Sequence, residues 1–385
     1  MAASDNRHRG EPHSRMASPD HPGDGLHGRG SGWDQSPAIR IVAVAILALL
    51  LASFWVEFRD SSIARPLQGH VASAFLCLAL LLAPLWLFGF GAANALRTAL
   101  ARRGQRVAMA SLCCLPYLCF SIPRHEFQWL LAVAMAGFPV LLAAFLVYPA
   151  VEESRFSTPP RVTARVAGIP TSTPLRVTAR VAGTPSWRDA VVLLALAAVL
   201  ELRLLTPAWP YTGLGSLPKL YLADVALYLY LVVRGIDGMG YSFIPSGRTF
   251  LIAAREWAFF APFGIGLGLA LKFITFHPRL PSPLHAAAAV LVTFLLTAVP
   301  EELFFRGILQ NLLETRLGRT GALVLTSVLF GLSHFHKGAA FNWRYVLLAA
   351  IAGIFYGRAW RAERKVLASS ITHTAVDVVW SLWFR

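Results

Sequence analysis

The sequence has few charged residues for its length. Asp, Glu, Lys and Arg make up 14% of its 385 residues, whereas a soluble domain carries roughly 25%. Hydrophobic residues account for 56% of the chain and are gathered in long runs. This composition excludes an ordinary water-soluble globular protein and indicates that a lipid bilayer surrounds most of the chain.

Acidic residues are scarcer than basic ones: there are 20 Asp and Glu against 35 Lys and Arg, which gives a net charge of +15. Such a balance suits nucleic-acid binding. The basic residues, however, lie mostly in short segments between apolar runs, as they do in cytoplasmic loops of membrane proteins. We therefore predict no nucleic-acid partner. One such segment contains Arg97, Arg102, Arg103 and Arg106.

Cysteine is also scarce. The four cysteines fall in apolar segments, and their spacing fits neither a zinc site nor a secreted disulfide framework. We predict that they are small apolar core residues. They are Cys77, Cys113, Cys114 and Cys119.

The long apolar runs predict membrane-spanning helices, because a helix needs about 20 apolar residues to cross a bilayer. The runs are continuous rather than alternating, which argues against a β-barrel. We predict an all-α fold, a polytopic transmembrane helical bundle of about 8–11 membrane helices. The candidate spans lie near residues 38–56, 71–95, 107–121, 127–149, 189–205, 220–234, 252–276, 285–316, 320–335, 344–359 and 366–383.

These runs form two blocks that a basic linker separates. Residues 1–37 are predicted to be a disordered polar tail, residues 38–150 an N-terminal membrane block of about four helices, and residues 188–385 a C-terminal membrane block. The linker, residues 151–187, contains the octapeptide Arg-Val-Thr-Ala-Arg-Val-Ala-Gly twice. Two copies are too few for a solenoid, so we infer a duplication within a flexible loop. The copies occupy residues 161–168 and 176–183.

Three polar clusters interrupt the apolar runs of the C-terminal block, where an ionisable residue costs roughly 2.5–3.5 kcal/mol at the bilayer centre. The first contains Glu301, Glu302 and Arg306. Glu302 and Arg306 are four residues apart, so they share a helix face and can pair. Glu301 has no such local partner, which suits a general base, and Pro300 removes a helix hydrogen bond beside it. The alternative is a cytoplasmic helix end with ordinary surface charges.

The second cluster has His334 four residues after Phe330, and the third has Asp377 four residues after His373. Each pair therefore shares one face of an apolar helix. The alternatives are an interfacial histidine at His334 and a structural His–Asp pair at His373.

A helical hairpin would bring the first two clusters together. A turn near Gly318 would follow Glu301 by 17 residues and precede His334 by 16. Both side chains would then lie about 25 Å from the turn, at 1.5 Å per residue. His373 matches less well, because a turn near Glu363 would leave it only about 15 Å away. The sequence alone leaves this difference in depth open.

In order and spacing, the three clusters resemble the signature of the CPBP-type intramembrane glutamic endopeptidases, which include the type II CAAX prenyl proteases and bacterial bacteriocin-processing relatives. That signature has a Glu-Glu pair with Arg four residues after the second Glu, then Phe with His four later, then His with Asn or Asp four later. The resemblance covers roughly residues 250–385 and implies a protease core there. We expect a membrane-associated protein or peptide as substrate, and the plasma (inner) membrane of a bacterium as the location.

The resemblance also implies a role for each residue, with no cofactor. Glu301 would activate a water with the help of His334, and His373 with Asp377 would stabilise the oxyanion of the tetrahedral intermediate. Asp377 takes a position that Asn often holds, so it can donate a hydrogen bond only if it is protonated. The residues that would give structural support are Glu302, Arg306 and Phe330.

Three other functions have to be weighed. Two histidines and two carboxylates could bind zinc, which would make a zinc-dependent membrane protease on the same residues, although the chain has no His-Glu-x-x-His motif. A transporter with a proton relay predicts repeated spans, which the sequence does not show. A non-catalytic membrane scaffold would have no reason to carry the insertion cost of these polar residues.

Overall fold

The structure is a computed structural model in which helices dominate. Within the residues that it describes there is no strand, and an isolated β-bridge joins Phe276 to Phe384. The all-α prediction is confirmed. The predicted tail up to residue 35 and both copies of the octapeptide lie outside the described residues. These residues are 36–59, 67, 69–148, 185–278, 280–337 and 341–384.

Before the linker, the described chain forms six α-helices, with a 3₁₀-helix at Ala110–Cys114. Their bounds are α1 Pro37–Arg59, α2 Val71–Phe88, α3 Ala92–Ala99, α4 Arg103–Met109, α5 Leu115–Ser121 and α6 Trp129–Val147.

After the linker, wide π-helical turns interrupt or extend several helices. The α-helices are α7 Trp187–Glu201, α8 Leu217–Leu227, α9 Thr249–Ala270, α10 Pro283–Thr293, α11 Val299–Glu302, α12 Asn311–Leu332, α13 Trp343–Glu363 and α14 Val366–Trp383. The π-helical segments are Tyr228–Arg234, Phe294–Ala298 and Leu303–Gln310.

Five helical stretches of the described chain are long and apolar enough to cross a bilayer, and the protein is an integral membrane protein. The fifth has 50 residues. Gly318 divides it, because its φ of 68° and ψ of 174° are not helical. The turn predicted near Gly318 is therefore confirmed, and the total number of spans stays a prediction. The five stretches are Pro37–Val56, Val71–Phe88, Trp129–Val147, Thr249–Ala270 and Pro283–Leu332.

Several predicted spans have different bounds in the structure, and local features explain two of the differences. The span predicted at 71–95 ends at Phe88, where the chain packs closely on Phe243: a Cβ on Gly89 would lie 2.5 Å from that ring. The span predicted at 107–121 is divided among α4, the 3₁₀-helix and α5. Pro116 lies at this division and has no amide hydrogen to donate to a preceding turn.

Helices from before and after the linker pack against one another. Tyr221 of α8 donates a hydrogen bond to Met135 O at 2.6 Å, and Tyr241 donates one to Leu85 O at 2.7 Å. One cluster of buried hydrophobic residues has members from both blocks. The domain boundaries stay a prediction, but the two blocks share this core.

A polar cluster outside the membrane-spanning stretches adds to this contact. Arg124 donates to Glu126 at 3.0 Å and also contacts the hydroxyl of Tyr211, which donates to Glu126. The hydrogen bond from Arg124 lowers the pKa of Glu126. The cluster joins the loop before α6 to the loop before α8.

Candidate active site

Glu301 and Glu302 lie on α11, a single α-helical turn between two π-helical segments. Pro300 precedes them, and its missing amide hydrogen breaks the regular bonding of the helix. Wide turns of this kind are frequent at functional sites, because they change which face of a helix a side chain occupies.

The fully buried side chain of Glu302 joins two of the polar clusters. Its Oε1 accepts a hydrogen bond from Arg306 Nη1 at 2.8 Å and another from His373 Nδ1 at 2.8 Å. Arg306 is fully buried as well, and its Nη2 donates to Gly353 O at 3.1 Å. The Glu302–Arg306 pair expected from the spacing is thus present, and it connects α11 to α13 and α14.

Carboxylates surround His373. A carboxylate only accepts hydrogen bonds, so the Nδ1 that faces Glu302 carries a proton. Nε2 lies 3.4 Å from Asp377 Oδ2 and 3.9 Å from Glu301 Oε2. The ring stacks on that of Tyr356, with 4.5 Å between centroids. Nε2 is therefore the nitrogen that His373 presents to Glu301.

The point at which α14 begins explains how His373 reaches Glu302. A Cβ placed on Gly307 would lie 3.1 Å from Cγ2 of Val366, the first residue of α14. The helix thus begins beside Gly307 rather than beside Gly318. His373 lies seven positions after Val366, and Glu302 lies five positions before Gly307, so the two side chains reach a similar depth. The sequence analysis placed His373 too shallow because it assumed that the turns near Gly318 and Glu363 lie at one level.

His334 has one ring nitrogen fixed and the other available. Nδ1 lies 2.8 Å from Phe330 O, and because a carbonyl oxygen only accepts hydrogen bonds, Nδ1 carries the proton. Nε2 of the neutral ring is then a proton acceptor. The side chain is buried, yet it lines two cavities.

Phe330 is the apolar centre of this arrangement. Its ring centroid lies 4.9 Å from that of His334 and 5.7 Å from that of His373, both edge to face. The guanidinium of Arg306 lies over the same ring at 4.4 Å, a favourable cation–π contact. Phe330 therefore holds the two imidazoles and the arginine in fixed relative positions.

Glu301 has a partner that the sequence did not predict. Lys219 Nζ, from α8, lies 3.0 Å from Glu301 Oε1. Glu301 Oε2 is buried and accepts no hydrogen bond from the described residues. Leaving a buried acceptor unpaired is unfavourable, and Oε2 of the neighbouring Glu302 is unpaired in the same way.

A long groove of about 1490 Å³ leads to Glu301. Helix α7 lines one side of it, and residues from Pro300 to Arg316 line another. At the far end, Arg316 donates to Pro185 O at 3.2 Å. Glu301 and Arg316 are 15 residues apart, about 22 Å along a helix. The walls are mainly apolar, and Lys219 lies at the Glu301 end.

A smaller cavity of about 90 Å³, the inner chamber, also borders His334. A water molecule needs about 10–15 Å³ measured in this way, so the chamber has room for several. Glu301 lines the groove but not the chamber, and His373 lines the chamber but not the groove. The site residues therefore separate the two cavities. Polar residues that line the chamber are His334, Tyr345, Tyr356, His373 and Asp377.

The donors at this site do not fit zinc. Among the described residues, no group of three or more His, Cys, Asp or Glu side chains is arranged to hold a metal ion. Glu302 Oε1 is already bound by Arg306 and His373. Zinc sites in proteins use three or four protein ligands that meet at one point, and the described side chains do not form such a group.

A family model described as type II CAAX prenyl endopeptidase Rce1-like matches residues 283–379. This segment is similar to Rce1-like endopeptidases, and the name Rce1-like domain is used for residues 283–379. The match confirms the family resemblance seen in the three polar clusters, all of which lie inside it. It indicates a CAAX-protease-type endopeptidase with membrane-associated protein substrates. A search of curated proteins and a search of solved structures gave no match to the chain.

Two contributors to the site were missed by the sequence analysis. Lys219 lies outside the Rce1-like domain, 82 residues before Glu301, and its only signal was a charge beside the apolar run 220–234. Tyr356 lies inside the domain, and the small residues Gly353 and Gly357 on either side of it indicate close helix packing. Neither signal shows which residue Lys219 or Tyr356 contacts.

Proposed function

We propose that this protein is an intramembrane endopeptidase of the glutamic type, which hydrolyses peptide bonds of membrane-associated proteins. Glu301 and His334 activate a water, and His373 with Asp377 stabilises the oxyanion. The observation that carries the proposal is the convergence of the polar clusters: Glu301 Oε2 lies 3.9 Å from His373 Nε2, which lies 3.4 Å from Asp377 Oδ2, and the ring of Phe330 contacts both His334 and His373. Glu301 Oε2 has no hydrogen-bond partner among the described residues, so it can act as a base.

In the first step, a water beside Glu301 attacks the carbonyl carbon of the scissile peptide bond. The water oxygen forms the new C–O bond while Glu301 Oε2 takes one of its protons. His334 Nε2 accepts a hydrogen bond from the other proton and orients the attacking lone pair. The π electrons of the carbonyl move to its oxygen, which becomes the oxyanion.

His373 stabilises that charge. In its doubly protonated form, Nδ1 donates to Glu302 and Nε2 donates to the oxyanion. Asp377, with Oδ2 at 3.4 Å from Nε2, stabilises the positive charge of His373, because an ionised carboxylate has no proton to give to the oxyanion. When the intermediate collapses, the C–N bond breaks and Glu301 returns its proton to the amine leaving group.

The two cavities suit two different reactants. The groove has mainly apolar walls along about 22 Å of helix, which favours a membrane-embedded segment of a substrate. The walls of the inner chamber are mainly apolar too, but His334, His373 and Asp377 give it groups that can hydrogen-bond water. Water held there would reach the site beside His334, which borders both cavities. On the resemblance to bacterial relatives, we expect the enzyme in the plasma membrane of a bacterium.

The function is tested by comparing the membrane proteomes of cells that carry the wild type or Glu301→Gln. Glutamine keeps the shape of the side chain but cannot act as the base. We expect a set of cleaved peptides to disappear in the variant while the protein inserts and accumulates normally. Cleavage of a substrate so identified by purified Glu301→Gln, at a rate near the wild type, would refute the role of Glu301.

A second experiment separates this mechanism from the zinc alternative. Activity of the purified enzyme should survive exhaustive chelation, and elemental analysis should find much less than one metal ion per chain. The opposite result would support the metalloprotease: one zinc ion per chain, loss of cleavage when the zinc is removed, and recovery when it is added back.

A further inference from the structure

We propose that Lys219 is a positioning residue for Glu301: it holds Oε1, so that Oε2 is the oxygen that faces the reacting water. The proposal rests on the proposed function and extends it to a helix outside the Rce1-like domain. It assigns a task to a residue from the part of the chain before residue 283, which the family match does not cover.

The two oxygens of Glu301 have different surroundings. Lys219 Nζ lies 3.0 Å from Oε1, whereas Oε2 has no hydrogen-bond partner in the described chain and lies 3.9 Å from His373 Nε2. A carboxylate on a flexible side chain can rotate and exchange its oxygens. Since an ammonium group bound to Oε1 opposes that rotation, it keeps Oε2 directed at His373.

Lys219 is itself held in place. It lies in the first turn of α8, after Pro218, and the neighbouring Leu217, Leu220 and Tyr221 are buried. Tyr221, two residues further on, donates to Met135 O of α6 at 2.6 Å. The helix that carries Lys219 is thus fixed by the N-terminal block, so the ammonium group has a defined position relative to Glu301.

The ion pair belongs to the site rather than to the solvated surface. Its side chains are 23% and 12% exposed for Lys219 and Glu301, and both line the groove. A positioning role and simple charge neutralisation both predict that removing Lys219 destabilises the protein. Positioning alone also predicts that turnover falls while substrate binding is kept, and that Lys219→Arg, which keeps a donor and the charge, restores turnover.

The chain offers a matched control in Lys365. Its side chain is 24% exposed, close to that of Lys219, and it pairs with Glu363 at 2.8 Å. That carboxylate lies at the end of α13, away from the groove. Lys365→Met therefore removes the same kind of ion pair without touching Glu301.

The experiment has two parts, on the full chain in detergent. Thermal unfolding of Lys219→Met, Glu301→Gln and the double variant forms a double-mutant cycle, which measures the ion pair without any assay of cleavage. The rate of cleavage is then measured with a quenched fluorescent peptide that covers a site found in the proteome comparison.

We expect Lys219→Met to lower kcat about 10²-fold, the loss typical of a misplaced reacting group, with KM nearly unchanged. Lys219→Arg should recover much of the rate, and Lys365→Met should retain it. We also expect Lys219→Met to destabilise the wild type more than it destabilises Glu301→Gln.

Absence of coupling in the cycle would overturn the proposal, because the pair would then not exist in the protein. Coupling together with an unchanged kcat in Lys219→Met would overturn the positioning role and leave the proposed function intact. A wild type that cleaves no peptide in the proteome comparison would refute the proposed function, and the positioning role would fall with it.

Discussion

Two adjacent glutamates have different tasks at this site. Glu302 has no exposed side-chain area, and its Oε1 accepts hydrogen bonds from both Arg306 and His373. Each glutamate keeps a buried Oε2 without a partner among the described residues. The two differ in the other oxygen: Glu302 Oε1 connects two buried side chains, whereas Glu301 Oε1 pairs with Lys219, and Glu301 lines the groove.

The buried pair gives a prediction about stability. Arg306→Ala removes a fully buried partner of Glu302 together with the hydrogen bond to Gly353 O and the contact with Phe330, which should cost about 3–5 kcal/mol in the free energy of unfolding. Arg358→Ala is the matched control, because the buried Glu256 that it contacts at 2.9 Å keeps a second arginine, Arg255, at 2.6 Å. Its cost should be about 1 kcal/mol or less. Unfolding in mixed detergent micelles measures both.

Glu302→Ala should likewise reduce the yield of folded protein more than the intrinsic rate, since it leaves Arg306 without its carboxylate. A well-folded Arg306→Ala or Glu302→Ala protein that cleaves nothing would mean that the pair takes part in the reaction itself.

Single residues were predictable from the sequence where their partners are local. The Glu302–Arg306 pair follows from a spacing of four, because helix geometry alone brings such residues together. The contact between Lys219 and Glu301 depends on how α8 packs against α11, and no spacing along the chain encodes that distance. The same holds for Tyr356, which stacks on His373 from another helix.

At the scale of helices, close packing at glycine keeps His334 in register. A Cβ on Gly331 would lie 2.5 Å from Val346 O and 2.7 Å from Ala350 Cβ. Helices α12 and α13 therefore touch at their backbones just before His334. A methyl group added there would push the two helices apart, because the backbone of α13 cannot move without disturbing its packing.

Gly331→Ala should therefore lower both the yield and the rate of cleavage, although the same change in an open helix position raises helix propensity by up to about 1 kcal/mol. Gly266→Ala is the control: this glycine lies in α9, and a Cβ there would meet nothing within 4 Å. It should leave activity unchanged and the melting temperature the same or higher. Equal behaviour of the two variants would contradict the packing argument.

The helical hairpin was predictable because Gly318 interrupts an apolar run, and its positive φ of 68° is a conformation that glycine adopts readily. The π-helical segments on either side of α11 were not predictable, since hydropathy is the same for an α and a π turn. The early end of α2 was missed for a similar reason: the contact with Phe243 lies 154 residues from Gly89.

For the whole molecule, the shared core predicts that the two blocks need each other but not the covalent link between them. Residues 1–172 and 173–385 expressed together should assemble and cleave substrate. Residues 173–385 alone should accumulate poorly and lack activity, because Tyr221 and Tyr241 lose the acceptors Met135 and Leu85. Copurification and the peptide assay measure the outcome. Full activity of the shorter fragment alone would show that the first block is dispensable.

The hydrogen bonds that Glu302 accepts from Arg306 and His373 also limit which residues of the site can be replaced during evolution. A lineage that no longer needs hydrolysis can replace Glu301 at little structural cost, since Lys219 is 23% exposed and can turn toward water. It cannot replace Glu302 as freely, because Arg306 and His373 would lose a common acceptor. Relatives that have lost catalytic activity should therefore keep Glu302, Arg306 and His373 but have other residues at the position of Glu301. That pattern would distinguish them from active relatives.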